Sequence, residues 1–129
     1  MKNIEVRRGD IFYVDLPNNE KSIQSGKRPC VIVSNNKANV YAPVIHVVPL
    51  TTRLKKVLPT HTILNNNHLP EVSIAMAEQE LLVNKDQLLA KIGKCSKDEI
   101  AKINKSIIIQ NGLMGFVKEL IQENSLALA

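Results

Sequence analysis

Residues 26–34, with the sequence GKRPCVIVS, constrain the fold of this chain more than any other segment. Gly26 can adopt backbone angles that other residues resist, while Pro29 has a fixed φ and biases Arg28 toward an extended conformation. The apolar run 30–33 has the length of a strand that is buried on both faces. We therefore predict a loop that places Arg28 at the mouth of a buried strand, where its planar guanidinium can bind two phosphate oxygens at once.

The positive charge of the chain lies in its first half. The net charge is +5, and residues 1–62 hold ten Lys and Arg against four acidic residues. If these segments fold together, they form a basic face suited to a nucleic acid, although they could also be solvated loop charges. With four Phe and Tyr residues and no Trp, a stacking platform for single strands is not expected. The basic residues are Arg7, Arg8, Lys27, Arg28, Arg53, Lys55 and Lys56.

The first two-thirds of the chain has the pattern of short strands. Apolar and alternating runs predict strands over residues 9–16, 29–34, 44–50, 60–64 and 72–77. Polar residues between them predict a loop at 17–22, a connection at 35–39 and a turn at 65–67. Because these connections are mostly non-helical, the pattern favours a mainly β fold, a small antiparallel barrel, within a single domain over residues 1–129.

Helices are predicted only in the last third. Residues 84–89 resemble a short helix capped by Asn84. Ser96 and Glu99 form a capping box, and apolar residues from Ile100 to Ile121 then recur at helical spacing. Asn111-Gly112 and Gly115 weaken this C-terminal helix without forbidding it.

Compartment and redox state follow from what the sequence lacks. No apolar run approaches the roughly 20 residues that cross a bilayer, and residues 1–8 have no signal-peptide core, so we expect a cytoplasmic protein that does not contact the membrane. Cys30 and Cys95 have no second Cys or His at ligand spacing, which favours reduced, partly buried thiols over a disulfide or a zinc site. We predict no metal site and no cofactor.

Five short motifs follow one another from Arg8 to Gln79, within a pattern that covers residues 7 to about 120. They are Arg8-Gly9-Asp10-Ile11-Phe12, Gly26-Lys27-Arg28-Pro29, Pro49-Leu50-Thr51-Thr52, Leu58-Pro59-Thr60-His61, and Ser73 through Glu78-Gln79. In this order and spacing, the chain resembles the MazF/PemK family of toxin endoribonucleases from bacterial type II toxin–antitoxin modules.

The resemblance implies an SH3-like barrel with a C-terminal helix, as in MazF, CcdB and Kid, assembled as a homodimer. It implies sequence-specific, metal-independent cleavage of single-stranded RNA to 2′,3′-cyclic phosphate and 5′-hydroxyl ends. The family's catalytic arginine and threonine match Arg28 and Thr51, with Thr52 as the near rival of Thr51. A MazE-like antitoxin with an acidic disordered segment is the implied protein partner.

Polar residues around this pair are candidates for RNA binding. A carboxylate accepts from an exocyclic amine and an amide both donates and accepts, so Glu78 and Gln79 could read base edges, or could simply be polar loop residues. The full candidate set is Lys27, Gln24, Thr52, Arg53, Ser73, Glu78 and Gln79.

Three other interpretations stand beside this hypothesis, and the two non-enzymatic ones stay open. His46, His61 and His68 could suggest histidine acid–base catalysis, but they lie in an apolar strand, at a strand start and in a turn, and we place none in the catalytic set. A CcdB-like gyrase poison of the same fold depends on a C-terminal tryptophan, and this chain has none. A non-catalytic RNA-binding or peptide-binding SH3-like module would leave the Arg28 and Thr51 pairing unexplained.

Overall fold

The computed structural model describes residues 4–17, 24–53 and 56–128, with side chains through Asn124. The strands are β1 (Asp10–Leu16), β2 (Gly26–Ile32), β3 (Val44–Thr51), β4 (His61–Leu64), β5 (Ser73–Met76), β6 (Leu81–Asn84) and β7 (Leu88–Lys94), and the helices are α1 (Asn36–Tyr41), α2 (Lys97–Gln110) and α3 (Met114–Leu128). These seven strands form one antiparallel sheet in the order β4-β5-β3-β2-β1-β7, and β6 pairs with the part of β3 that β5 leaves unpaired. The predicted mainly β fold with C-terminal helices is confirmed, and within the described residues the sheet stays open.

The central strands are buried on both faces, as the apolar run at 30–33 predicted. Ile32 and Phe12 belong to one hydrophobic core, whereas their neighbours Val31 and Ile11 belong to a second core. Helix α2 covers the second core through Ile103. Burying each such side chain stabilises the fold by about 1.5–3 kcal/mol, so β2 is held firmly on both sides.

Strand β2 begins three residues earlier than predicted. Gly26, with φ of 79°, already pairs with Leu16 of β1, and Arg28 pairs with Val14. The prediction of a loop carrying Arg28 is therefore wrong, because β1 supplies backbone partners along this whole stretch. The predicted loop at 17–22 lies, apart from Pro17, outside the described residues.

Two segments differ from the predicted elements. The expected connection at 35–39 is helix α1, which the Asn35 side chain caps by accepting from the Ala38 N–H at 2.8 Å. The expected short helix at 84–89 is a single 3₁₀ turn, Lys85–Gln87, with Asn84 as its cap as predicted. It separates the two unpredicted strands β6 and β7.

The capping box of Ser96 and Glu99 starts α2 as expected, but the long C-terminal helix is two helices. Gly112, with φ of 70°, donates its N–H to Ile109 C=O, and the Leu113 N–H donates to Ile108 C=O. These two bonds form a Schellman motif, which satisfies the last carbonyls of α2 and turns the chain into α3. No helix in the described part of the chain is long and apolar enough to span a membrane.

Candidate active site

An open pocket of about 610 Å³ gathers most of the predicted site residues. Arg28 enters it from β2, Thr51 from the end of β3 and Ser73 from the start of β5. Strands and the segments that flank them therefore build the pocket. Its lining residues are Gln24, Arg28, Pro29, Leu50, Thr51, Thr52, Arg53 and Ser73.

The pocket lies where β2 and β3 separate. The two strands pair at Ile32–Val47 and Val31–Val48, and their last pair is Cys30–Pro49. Beyond that pair, β2 continues along β1, whereas Leu50 and Thr51 of β3 pair with β5. The divergence leaves a gap in the sheet, and polar side chains from both strands face that gap.

Arg28 is half-buried and oriented by its own chain. Its Nε–H donates to the Ser25 carbonyl at 3.1 Å, which leaves the four N–H groups of the two terminal nitrogens to act as donors. Among the described carboxylates, none forms an ion pair with Arg28. The guanidinium thus presents an unneutralised positive charge and a bidentate face, which suits a phosphate.

The hydroxyl of Thr51 is oriented by a hydrogen bond with the backbone of Arg53. The Arg53 N–H donates to Thr51 Oγ1 at 3.2 Å, so the hydroxyl accepts one bond and its own hydrogen can still be donated to a ligand. Thr52, the rival, is exposed and also lines the pocket. The half-buried, held hydroxyl of Thr51 is the better preorganised donor of the two.

The remaining polar candidates differ in how they relate to the pocket. Ser73 is only 4% exposed, and its hydroxyl donates to the Glu71 carbonyl at 3.1 Å. Gln79 does not line the pocket, but its side-chain oxygen accepts from the Gln24 N–H at 3.2 Å and so holds the segment leading into β2. Lys27 lies outside the lining because successive strand side chains alternate, which directs it away from the face of Arg28.

Glu78 also lies outside the lining, and both of its carboxylate oxygens have partners. One accepts from the Thr60 hydroxyl at 3.0 Å and the other from His61 Nε2 at 2.7 Å. Because His61 Nδ1 accepts from the Leu58 N–H at 2.8 Å, we assign the ring proton to Nε2. Glu78 thereby ties the segment before β4 to the 3₁₀ turn Ala77–Gln79, a contact that the sequence analysis missed.

The histidines take no part in the pocket lining within the described residues. His61, with its side chain 2% exposed, is a satisfied core histidine. His61 and Glu78 are 17 residues apart, so no local pattern predicts their contact. The only sequence signal for it is that both residues lie in motifs that carry the family resemblance.

The prediction that Arg7 and Arg8 share a basic face with Arg28 is wrong. Arg7 pairs with Glu5 at 2.7 Å, and Arg8 donates to the Val33 carbonyl and, at 2.6 Å, to Asn104. Burial lowers the pKa of the Arg8 guanidinium, which here ties the end of β2 to α2. Both residues lie at the end of β2 opposite Arg28. The described cations that line the pocket are Arg28 and Arg53, and Lys55 lies outside the described residues.

Comparison of the amino-acid sequence with known proteins points to one family. The model of a protein family described as "PemK-like, MazF-like toxin of type II toxin-antitoxin system" matches residues 7–110. An endoribonuclease MazF from Staphylococcus saprophyticus is 33% identical over 111 residues, which cover 84% of this chain and 92% of the relative.

Solved structures agree with this match. An endoribonuclease in complex with its cognate antitoxin, from a mycobacterial species, superposes with a TM-score of 0.71 at 27% identity, covering 84% of this chain and 96% of that one. A MazF from Deinococcus radiodurans shares the fold with a TM-score of 0.75 at 16% identity, covering 85% and 99% of the two chains. Helix α3 lies entirely beyond residues 7–110, so the family match comprises the sheet and the first two helices.

Proposed function

The chain belongs to the PemK-like, MazF-like toxin family of type II toxin–antitoxin systems, and on this premise we propose that it is a sequence-specific endoribonuclease. The substrate is single-stranded RNA, and cleavage needs no metal. The observation that carries this proposal is the shared pocket of Arg28 and Thr51, which holds a positive charge and an oriented hydroxyl at one point of the sheet.

In the proposed reaction, the ribose 2′-oxygen attacks the adjacent phosphorus in line. The 2′-hydroxyl gives up its proton as the O2′–P bond forms, the P–O5′ bond breaks, and the departing 5′-oxygen takes up a proton. The products are a 2′,3′-cyclic phosphate and a 5′-hydroxyl. Negative charge grows on the non-bridging oxygens, and donors already aimed at them stabilise the transition state. Arg28 supplies two terminal N–H groups and Thr51 its O–H. Arg28 acts here as a donor and not as a general base, because a guanidinium keeps its proton near neutral pH.

RNA recognition falls to the polar residues around this centre. Gln24, Thr52 and Arg53 line the pocket and can form hydrogen bonds with exposed base edges or phosphates. Ser73 can accept a bond, since its hydroxyl hydrogen is already donated to Glu71. Gln79 contributes by holding the segment that carries Gln24, and Glu78 by tying Thr60 and His61 to the 3₁₀ turn that contains Gln79. Lys27 contributes long-range attraction for the phosphate backbone of RNA.

We further propose a homodimer that is neutralised by an antitoxin through an acidic disordered segment. A segment that folds on binding can wrap a large surface, and the positive charges of Arg28 and Arg53 at the pocket attract it as they attract RNA. Inhibition is then competitive. Titrating the antitoxin into a Thr51→Val protein bound to fluorescent RNA should displace the RNA, whereas simultaneous binding of both at full stoichiometry would refute a shared site.

The decisive test of the enzyme is cleavage of a long RNA in EDTA, followed by mapping of the new 5′ ends. We expect 5′-hydroxyl ends at one short sequence with the wild-type protein and none with Arg28→Ala. Cleavage that requires a divalent ion would contradict the metal-independent mechanism. Intact RNA together with inhibition of DNA gyrase would instead support the non-enzymatic alternative.

A further inference from the structure

Strands β2 and β3 stop pairing at the pocket although both strands continue. The Val33 N–H donates to the His46 carbonyl at 2.9 Å, which marks a hydrogen-bonded position between these chains. In an antiparallel ladder, hydrogen-bonded and non-bonded pairs alternate. The next bonded pair is therefore Val31–Val48, and the one after it would join residues 29 and 50.

Pro29 occupies the position where that next donor is needed. Proline has no N–H, so Pro29 cannot donate to the carbonyl of Leu50. The same alternation directs the backbone groups of Arg28 and Cys30 toward β1, so β2 keeps its pairing with β1 as far as Gly26. The break therefore affects only the side of β2 that faces β3, which is where the pocket opens.

We propose that Pro29 is a positioning residue for the endoribonuclease reaction. By withholding one backbone donor, it ends the β2–β3 ladder and keeps Arg28 and Thr51 on opposite walls of an open gap. In a continued ladder these two residues would face each other as a non-bonded pair, with Cα atoms about 4.5 Å apart. Their side chains would then fill the space in which a phosphodiester has to bind. This inference rests on the proposed function.

Pro29→Ala restores the N–H at position 29 but also removes the proline ring. Two further variants show which of these two changes affects catalysis. An ester analogue that carries the α-hydroxy form of alanine at position 29 has a methyl side chain and no N–H. Pro49→Ala is the control for loss of a proline in the paired partner strand. Because Pro49 forms a non-bonded pair with Cys30, its backbone nitrogen points away from β2, and a restored N–H there adds no donor across the gap.

The experiment compares kcat, KM and amide hydrogen exchange for the wild-type protein, Pro29→Ala, the ester analogue and Pro49→Ala. In Pro29→Ala we expect a protected amide at residue 29 and a kcat lowered by on the order of 10²-fold, the usual cost of a displacement near 1 Å. KM should change much less than kcat. The ester analogue should recover activity, and Pro49→Ala should keep it. Pro29→Ser restores the same donor if Pro29→Ala does not fold.

Three results would overturn the inference: full kcat with a protected amide at residue 29, lost kcat with an unprotected amide, or an ester analogue as slow as Pro29→Ala. Each would show that the missing donor does not keep the active pair apart. If the wild-type protein itself cuts no RNA in this assay, the proposed function fails and the catalytic role of Pro29 fails with it. The exchange data would then still decide whether Pro29 ends the ladder.

Discussion

Arg28 and Thr51 each lie two residues beyond Cys30 and Pro49, the last pair of β2 and β3, and both line the same pocket. Because side chains alternate along a strand, a two-residue step keeps both on the face of that pair. Each side chain is therefore attached to a strand close to its buried, paired part, and a scaffold of this kind holds donors in place better than loops do.

Replacing Arg28 should remove cleavage without unfolding the protein. Loss of one preorganised donor costs on the order of 10² to 10³ in rate, and Arg28→Ala removes two donors and a charge. Arg28→Lys should be badly impaired as well, because an ammonium cannot reproduce the bidentate fork. Single-turnover cleavage rates with thermal melts of each variant provide the measurement. A lysine variant that cuts at near wild-type rate would refute the argument from guanidinium geometry.

Thr51→Val retains the β-branched shape and loses only the hydroxyl. We expect a fall in kcat of on the order of 10²-fold with RNA affinity little changed, because the hydroxyl acts on charge that develops in the transition state. Thr52→Val is the matched control, since the neighbouring hydroxyl lines the same pocket but is exposed. A larger loss at Thr52 would reverse the assignment of the two threonines.

Glu78→Ala should destabilise the fold, because it leaves the ring N–H of buried His61 without its acceptor. A buried polar group that loses its partner costs about 1–3 kcal/mol, which urea denaturation can measure. Glu71→Ala, at an exposed glutamate, should stay within about 0.5 kcal/mol of the wild-type protein. Unchanged stability with an altered cleavage sequence would show instead that Glu78 reads a base.

The two cysteines should be unreactive in the folded protein. Burial raises the pKa of the Cys30 and Cys95 thiols, each to about 12, so both are neutral at pH 8. A raised folded-state pKa means that this contribution to stability is complete below the unfolded pKa of about 8.5 and is lost as pH rises toward 12. Reaction with a disulfide reagent at pH 8 should label both thiols only after unfolding, and rapid labelling of the native protein would contradict the assigned burial.

The features that were predicted correctly from the sequence depend on residues close together in the chain. The apolar run at 30–33 predicted a doubly buried strand, and the Ser96–Glu99 capping box predicted the start of α2. Strands β6 and β7 were missed because they are short or mostly exposed, and their pairing with β3 and β1 leaves no alternating pattern in the sequence. The break at Gly112 depends on two hydrogen bonds that a helical apolar pattern does not reveal.

The sequence by itself determined that this chain forms a mainly β fold with C-terminal helices, because strand patterns and helix caps are local properties. The order of its motifs carried the resemblance to the MazF and PemK toxins. Only the tertiary structure decided that Arg28 lies within a strand, that Arg7 and Arg8 serve elsewhere, and that β2 and β3 separate beside Arg28 and Thr51. The physical reason is that a strand's partner is chosen by backbone donors and acceptors distant in the chain.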